Sequence, residues 1–547
     1  MMNEGQAEGN KKKRKPIKVW KVCLGILILI LIMALREVRI WCGRTFGRVS
    51  FTQVVYHINA PLKGTDSTVF KEYFAPLWVD LYFLAAVILL VFSPDIIRLV
   101  LQLMRKQNTQ NDTDSEQPEE RSAFAKFVRK CGTGVETCRK FLIRRLIPIS
   151  LIGLFIVLVI DVRWFGIVPW VKHQLQSSTV YEDYYVDPNA VRITAPEQKK
   201  NLILIISESM EATFGTQEVG GTSEAVLIPN LTRLAKENTH FSRRDDLMGG
   251  AEVNGTEWTI AAMVAFTAGI PLDLPIEPNA VWGKEQFLPG VTSLGEILEA
   301  NGYVNEMIVG SDKSFAGKNS YFEDHGNYHE FDLYSALEEG YIENANDFWG
   351  YDDETLFRIA RDRIAKTAEE GKPFQFILNT VDLHNPNGYL CAQCRDDYRK
   401  SVGGDAGQYM DVICCQDHLI NEFVEWCRTQ DFYENTVIVI LGDHTSMASI
   451  VETEMAPKEY ERTAYNVIIN SELEPTNTAN RRFTSMDMFP TILASLGFQI
   501  EGERLGLGTN LYSGKETVTE LLGLEKYKDE IAKNSRMYNR VFLKRKK

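Results

Sequence analysis

The chain has no excess of basic residues: 60 Lys and Arg stand against 73 Asp and Glu, a net charge of −13 over 547 residues. Nucleic-acid binders carry a basic stripe, so this balance argues against that class. No long apolar run follows Trp170, so no later membrane span is expected. No internal repeat is visible, and nothing points to a repeat architecture. Composition is otherwise that of a folded protein, with 45% apolar residues available for a large core and a length beyond one ordinary domain.

What is present is unevenly distributed. The basic cluster KKKRK occupies 11–15, while most acidic residues come later. Three apolar stretches interrupt the first third, at Val22–Leu35, Leu77–Phe92 and Leu146–Ile160. Each is slightly short of the roughly 20 residues that span a bilayer, and flanking residues such as Trp20, Phe74 and Trp164 extend them. Arg36 stands where a cleavage site would need small residues, which argues against a removed signal peptide. The expected spans are about 19–38, 75–94 and 146–164. Lys and Arg are dense in the N-terminal tail and between spans two and three (Arg98, Arg105, Lys106, Lys126, Arg129, Lys130). The positive-inside rule then puts the N-terminus and the loop 95–145 in the cytoplasm and everything after the third span outside. Within that loop, 107–122 is polar and reads as flexible. The expected organisation is a membrane domain 1–170, a linker 171–198, a folded domain 199–515 and a helical, basic tail 516–547.

From Asn201 the pattern changes to short apolar runs separated by helical segments. Asn201–Ile206, Val304–Val309, Phe374–Leu378, Thr436–Leu441 and Asn466–Ile469 read as buried strands, with helices expected at Val291–Ala300 and Asp353–Ala368. Continuous apolar strands alternating with helices predict an α/β domain around a mixed, mostly parallel sheet sandwiched by helices. Ligands in such sheets sit beyond the carboxyl ends of the strands. Polar residues follow four of these strands: Ser207-Glu208-Ser209, Gly310-Ser311-Asp312, Asn379–His384 and Gly442-Asp443-His444. Two carboxylates and an imidazole (Glu208, Asp443, His444) suit a borderline divalent ion such as Zn²⁺ or Mn²⁺, and phosphoryl transfer needs such a cation. A nucleophile is offered by Gly255-Thr256-Glu257-Trp258-Thr259, which precedes the apolar run Ile260–Phe266. A hydroxyl near a helix N-terminus can attack phosphorus, and Thr256 is chosen over Thr259 because it follows the glycine directly.

These motifs carry a resemblance. ISES (206–209), NGTEWTIAAM (254–263), TAGIPL (267–272), GSDKSFAGKNSYFEDHG (310–326), WGYDDE (349–354), DLHNPNGY (382–389), GDH (442–444) and SMDMFPTILASLG (485–497) occur in order over roughly 200–515. Together they resemble the alkaline phosphatase/sulfatase-like superfamily and, within it, the lipoteichoic acid synthase and phosphoglycerol transferase I group. The resemblance implies Glu208, Thr256, Asp443 and His444 around one metal, usually Mn²⁺, with Zn²⁺ or Mg²⁺ as alternatives. It implies that Asp312, Lys318 and Trp349 bind the glycerophosphate and that His384 contacts the phosphate or moves a proton. Lipoteichoic acid synthases have Trp and Arg where Ala316 and Lys318 stand, so this loop follows the glucan-modifying type. The implied reaction moves glycerol phosphate from phosphatidylglycerol to an envelope polysaccharide or glycolipid acceptor at the membrane, through a glycerophosphoryl-threonine.

Rival readings are distinguishable. A sulfatase would need Cys or Ser followed by x-Pro-x-Arg, which 255–259 lacks. A phosphoethanolamine transferase shares the threonine and the metal but not the FAGK loop. A non-catalytic lipid-binding membrane receptor has no reason to keep Glu208, Thr256, Asp443 and His444 intact. Nine cysteines are present. An external domain permits disulfides, and Cys391-Ala-Gln-Cys394 is spaced for a small loop disulfide, with Cys414 or Cys415 open to pair elsewhere. A cysteine zinc site lacks a fourth well-spaced partner, and no thioredoxin-like context supports a redox role for the CxxC.

Overall fold

The computed structural model describes residues 19–47, 49–60, 73–74, 77–89, 91–92, 119–275, 286–346, 348–398 and 404–544. The basic cluster 11–15, the loop residues 95–118 and part of the second apolar stretch lie outside the described residues. The chain divides into two compact units, Met1–Ile40 with Tyr73–Trp164, and Trp41–Glu72 with Phe165–Lys547. The first part of the chain includes helices α1 (Val19–Thr45), α2 (Phe51–Asn59) and α3 (Glu119–Trp164), with a further apolar helical segment at Leu77–Leu89.

In the first unit, a Cβ added at Gly25 of α1 would lie 2.5 Å from the Leu146 side chain of α3. A glycine there permits the close approach that apolar helices use to pack. Charges in and just beyond the apolar stretches are paired: Arg36 with Asp80 at 2.7 Å and Arg39 with Asp161 at 2.8 Å. Among the described residues one helical segment, Ile143–Trp164, is long and apolar enough to cross a membrane. It exposes Ile149, Ile152 and Phe155.

The second unit is built on six strands: β1 (Asn201–Ser207), β2 (Val304–Val309), β3 (His329–Phe331), β4 (Phe374–Asn379), β5 (Thr436–Gly442) and β6 (Asn466–Ile469). Their order is β3-β2-β4-β1-β5-β6, parallel except for β6 against β5. The expected sheet is therefore present, and the short edge strand β3 is an addition. Every residue of β1 and β5 is buried, as strands covered on both faces require.

Alternate residues feed two separate cores. Leu202, Leu204, Ile206, Val437 and Val439 pack with helices α4 (Thr259–Ala268) and, later in the chain, Met488–Ser495. Ile203, Ile205, Ile438 and Ile440 face the other side, against Asp353–Glu369 and Gly404–Arg428. Local signals set the helix starts. The helix expected from Val291 begins at Leu294, because Ser293 and Glu296 form a reciprocal capping box. Asp352 caps the helix from Asp353 by accepting from Thr355 N.

The expected linker and tail are parts of the folded unit. Within 171–198, Val180 and Tyr181 are buried and Ile193–Thr194 pairs antiparallel with Gln499–Ile500. Within 516–547, Tyr527, Ile531, Tyr538 and Phe542 are buried in the same core as α4. The apolar spacing of 527–542 packs, whereas a reading from its lysines alone makes it a tail. Tyr538 Oη donates to Pro271 O at 2.9 Å and accepts from Asp273 N at 3.0 Å. Phe542→Ala should therefore destabilise this unit by about 3–5 kcal/mol, read as a lower thermal unfolding temperature; a surface tail would give no shift.

Candidate active site

Parallel pairing brings the chemistry together. β1 and β5 are in register with Ser207 opposite Gly442, so the residues that follow, Glu208 and Asp443-His444, emerge side by side. A Cβ at Gly442 would lie 1.8 Å from Met210 O, so this position has to be glycine for the loop after β1 to cross it. The donor atoms of Glu208, Asp443 and His444 lie within 4.8 Å of one another, and all three residues are buried. His444 Nε2 stands 3.6 Å from Glu208 Oε1 and 3.4 Å from Asp443 Oδ2.

The supporting bonds aim these groups inward. Asp443 Oδ1 accepts from Ser209 N at 2.7 Å and His444 N at 2.8 Å, while its Oδ2 is buried without a hydrogen-bond partner. His444 Nδ1 donates to Thr445 O at 3.0 Å, which leaves Nε2 as the acceptor. Such a second partner fixes the tautomer of a metal-binding histidine. Burial, together with the Glu208 charge, pushes Asp443 up to about 7. Burial lowers the His444 pKa, but the two carboxylates outweigh it and raise it to about 9. A divalent cation between these donors satisfies the orphaned oxygen and compensates both charges, so the residues fit the expected ion.

The two threonines of the expected nucleophile segment are placed differently. Thr256 is fully buried: its hydroxyl donates to Val253 O at 2.9 Å and accepts from Val253 N at 3.1 Å, closing the turn that Gly255 makes at φ +82°. It does not line the cavity beside the donors. Thr259 does line that cavity, and its Oγ1 donates to Glu208 Oε2 at 3.2 Å. It is the first residue of α4, where free backbone N–H groups favour an anion. The signal was in the sequence: the turn consumes the residues just after the glycine, and the hydroxyl at the apolar helix's start is the one that emerges.

Lys318, His384 and Trp349 line the same cavity, whose volume is about 670 Å³ with its open mouth included. Lys318 Nζ donates to Ser311 Oγ at 3.2 Å. Burial lowers its pKa to about 8, against the pull of Glu208, Asp312 and Asp443. His384 Nδ1 donates to Asn385 O at 3.0 Å, leaving Nε2 free to exchange a proton. Trp349 packs on His384 with ring centroids 4.5 Å apart and on Phe315 at 4.8 Å. Asp312 is not among the lining residues. Its Oδ1 accepts from Ser314 N at 2.8 Å and Ser314 Oγ at 2.7 Å, so it shapes the FAGK loop, and Ser311 takes the place facing the cavity.

The WGYDDE and DLHNPNGY motifs hold each other. Asp353 accepts from Val381 N at 2.8 Å and Asp382 N at 3.0 Å, and Asp382 Oδ2 accepts from Asp353 N at 3.1 Å. Burial raises both carboxyls, Asp353 to about 7. A folded pKa above the unfolded one, near ~3.9, means stability present below that value and lost as pH rises through about 7. Asp382→Asn keeps an acceptor without the charge. Its stability relative to wild type should rise between pH 4 and 8, measured by thermal unfolding; a pH-independent difference would refute the assignment.

Three cavity residues were not foreseen. Phe46, Gln53 and His57 come from α2 and the turn before it, a stretch read only as a connection between spans. The signal available was the helix's own apolar face, with Ser50 as its cap. The cysteine expectation also changes: Cys394 is joined to Cys415, not Cys391, whose thiol is buried 3.4 Å from the Cys415 sulfur.

The sulfatase family matches residues 200–498. A phosphoglycerol transferase I from Xanthomonas euvesicatoria is 31% identical over 320 residues, 58% of this chain and 43% of that protein. One from Escherichia coli is 32% identical over 337 residues, 61% of this chain and 41% of that protein. The chain thus spans less than half the length of these curated relatives. The crystal structure of a lipoteichoic acid synthase from Listeria monocytogenes aligns at 17% identity and a TM-score of 0.45, covering 61% of this chain and 81% of that one.

Proposed function

Since the chain belongs to the sulfatase family of the alkaline phosphatase superfamily, we propose that it is a membrane-bound phosphoglycerol transferase. It moves glycerol phosphate from phosphatidylglycerol to an envelope glycan or polyglycerol-phosphate acceptor. The spans at about 19–38, 75–94 and 146–164 keep the unit that carries the site outside the cytoplasm and close to its lipid. The observation that carries this reading is a hydroxyl at a helix start, Thr259, bonded to one of three converging metal donors with Lys318 in the same cavity.

Enzymes of this superfamily use divalent metals, and Glu208, Asp443 and His444 would hold one here, Mn²⁺ in this reading. Such a cation supplies positive charge against the transferring phosphoryl oxygens. Thr259 Oγ1 attacks phosphorus, with its hydrogen bond to Glu208 orienting it. His384 Nε2 takes the Thr259 hydroxyl proton as the bond from phosphorus to the diacylglycerol oxygen breaks, and it passes that proton to the leaving oxygen. In the second half the acceptor hydroxyl attacks the glycerophosphoryl-threonine, His384 Nε2 takes its proton, and the bond from phosphorus to Thr259 Oγ1 breaks with that proton returned to Oγ1, as microscopic reversibility requires. Lys318 offsets phosphate charge, and Trp349 keeps the His384 ring oriented.

The test uses the full chain in vesicles of labelled phosphatidylglycerol with Mn²⁺ and candidate acceptors. Diacylglycerol release with label on an acceptor is expected, and a stoichiometric burst of diacylglycerol without acceptor. Consumption of phosphatidylethanolamine instead, with phosphatidylglycerol untouched, would overturn the reading in favour of a phosphoethanolamine transferase.

A further inference from the structure

Helix α2 precedes β1 by some 140 positions, yet it is built into the catalytic cavity. Four contacts fix it there. Thr52 Oγ1 donates to Asn254 Oδ1 at 2.7 Å, on the loop that leads to Thr259. Tyr56 Oη donates to Ala316 O at 2.5 Å, on the FAGK loop. The Tyr56 ring also packs on Trp258 with centroids 5.5 Å apart. Just before the helix, a Cβ at Gly47 would lie 2.0 Å from Met447 O, so the backbone there passes against the loop that follows His444. A helix fastened to three catalytic loops presents its cavity-facing side chains, Gln53 and His57, in fixed positions.

The chemistry of the lining narrows what those side chains meet. Among the described lining residues, Glu208 is the only carboxylate and Lys318 the only lysine or arginine, and the phosphate and the metal engage both. Gln53, Ser311, Asn379, Thr380 and Asn385 add uncharged polar side chains to the lining. Asn385 is buried, lines the cavity, and its Nδ2 has no hydrogen-bond partner. Gln53 Nε2 reaches Met447 Sδ at 3.7 Å, a weak acceptor that leaves the amide available to a better one. Burial, and then the nearby His384, lowers the His57 pKa to about 4, so its ring is neutral. An ammonium headgroup would find Lys318 here and no spare carboxylate. A polyol needs what is present: neutral donors and acceptors in number.

We propose that Gln53 and His57 of α2, with Asn385 in the same cavity, form a neutral hydrogen-bonding subsite that recognises the hydroxyls of the transferred glycerol group. This rests on the phosphoglycerol-transferase reading and adds to it the residues that select the headgroup. They are positioning residues, supplied to the catalytic unit by the segment between the first two apolar stretches.

The test uses the full chain in mixed vesicles of phosphatidylglycerol and phosphatidylethanolamine with Mn²⁺, following diacylglycerol release and which headgroup is lost. Gln53→Ala and His57→Ala should each raise KM for phosphatidylglycerol about fivefold to tenfold while kcat stays within about twofold, the loss of one neutral hydrogen bond. His57→Asn, which keeps neutral bonding capacity, should recover part of that loss and stands in if the alanine variant does not fold. Gln53→Glu should shift donor choice toward phosphatidylethanolamine by about tenfold, a gain that misfolding cannot imitate. Unchanged KM and donor ratio in every variant would overturn the subsite, as would a fall in kcat alone. No diacylglycerol from wild type overturns the functional reading and the subsite together, so the wild-type measurement tells the two failures apart.

Discussion

Thr259→Ala should lower diacylglycerol release from phosphatidylglycerol by at least about 10³-fold, whereas Thr256→Ala should leave it within about threefold. The two threonines are three positions apart and differ in every relevant respect. Thr259 Oγ1 points at Glu208 from the first turn of α4, where the helix amides can receive a phosphoryl oxygen. Thr256 Oγ1 is committed to Val253 in both directions. Losing that hydroxyl leaves buried backbone groups short of partners, so Thr256→Ala should cost about 1–2 kcal/mol of stability instead. Initial rates in phosphatidylglycerol vesicles, with thermal unfolding of both variants, separate the effects. A Thr259→Ala protein that still shows the diacylglycerol burst would sink the assignment, because among the described residues no other hydroxyl is bonded to Glu208 from a helix start.

The sheet and the convergence of Glu208, Asp443 and His444 were legible because one rule covers both. Parallel strands buried on two faces have to read as continuous apolar runs, and NLILII, TVIVIL and FQFIL do. Their ends have to carry the ligands, and Glu208 and Asp443-His444 follow two adjacent strands in register. What was misread depends on where the chain goes next, which periodicity does not encode. Gly255 signals a turn but not how many residues that turn uses, so Thr256 was preferred over Thr259. Asp312 is acidic and stands at a strand end, yet its oxygen is consumed by Ser314 in its own loop. Cys391 and Cys394 are close in sequence, but a neighbouring helix brings Cys415 to Cys394. α2 was missed for the same reason on a larger scale: nothing within 51–59 states that Thr52 will meet Asn254, 202 positions away.

Chelation should abolish turnover of the wild-type protein, Mn²⁺ should restore it, and Asp443→Asn should be inactive under both conditions. The more discriminating expectation concerns stability, where the order of the two proteins should reverse. Asp443 is buried with one oxygen bonded to Ser209 N and His444 N, and asparagine can keep that acceptor. Its other oxygen has no partner. Without a cation, its folded pKa of about 7 lies above the unfolded value near ~3.9, so ionisation opposes folding. The deficit is absent below the unfolded pKa, grows as pH rises, and is complete above about 7. Asparagine carries no such term, so in chelator at pH 8 the variant should unfold at a higher temperature than wild type, and at pH 4 the gap should close. With Mn²⁺ present the wild type gains the binding energy of a ligand held by the native state alone, and it should become the more stable of the two. Wild-type protein whose rate and unfolding temperature both ignore the chelator would remove the cation from the site. Glu208, Asp443 and His444 would then be left as a buried charge cluster with no chemical task.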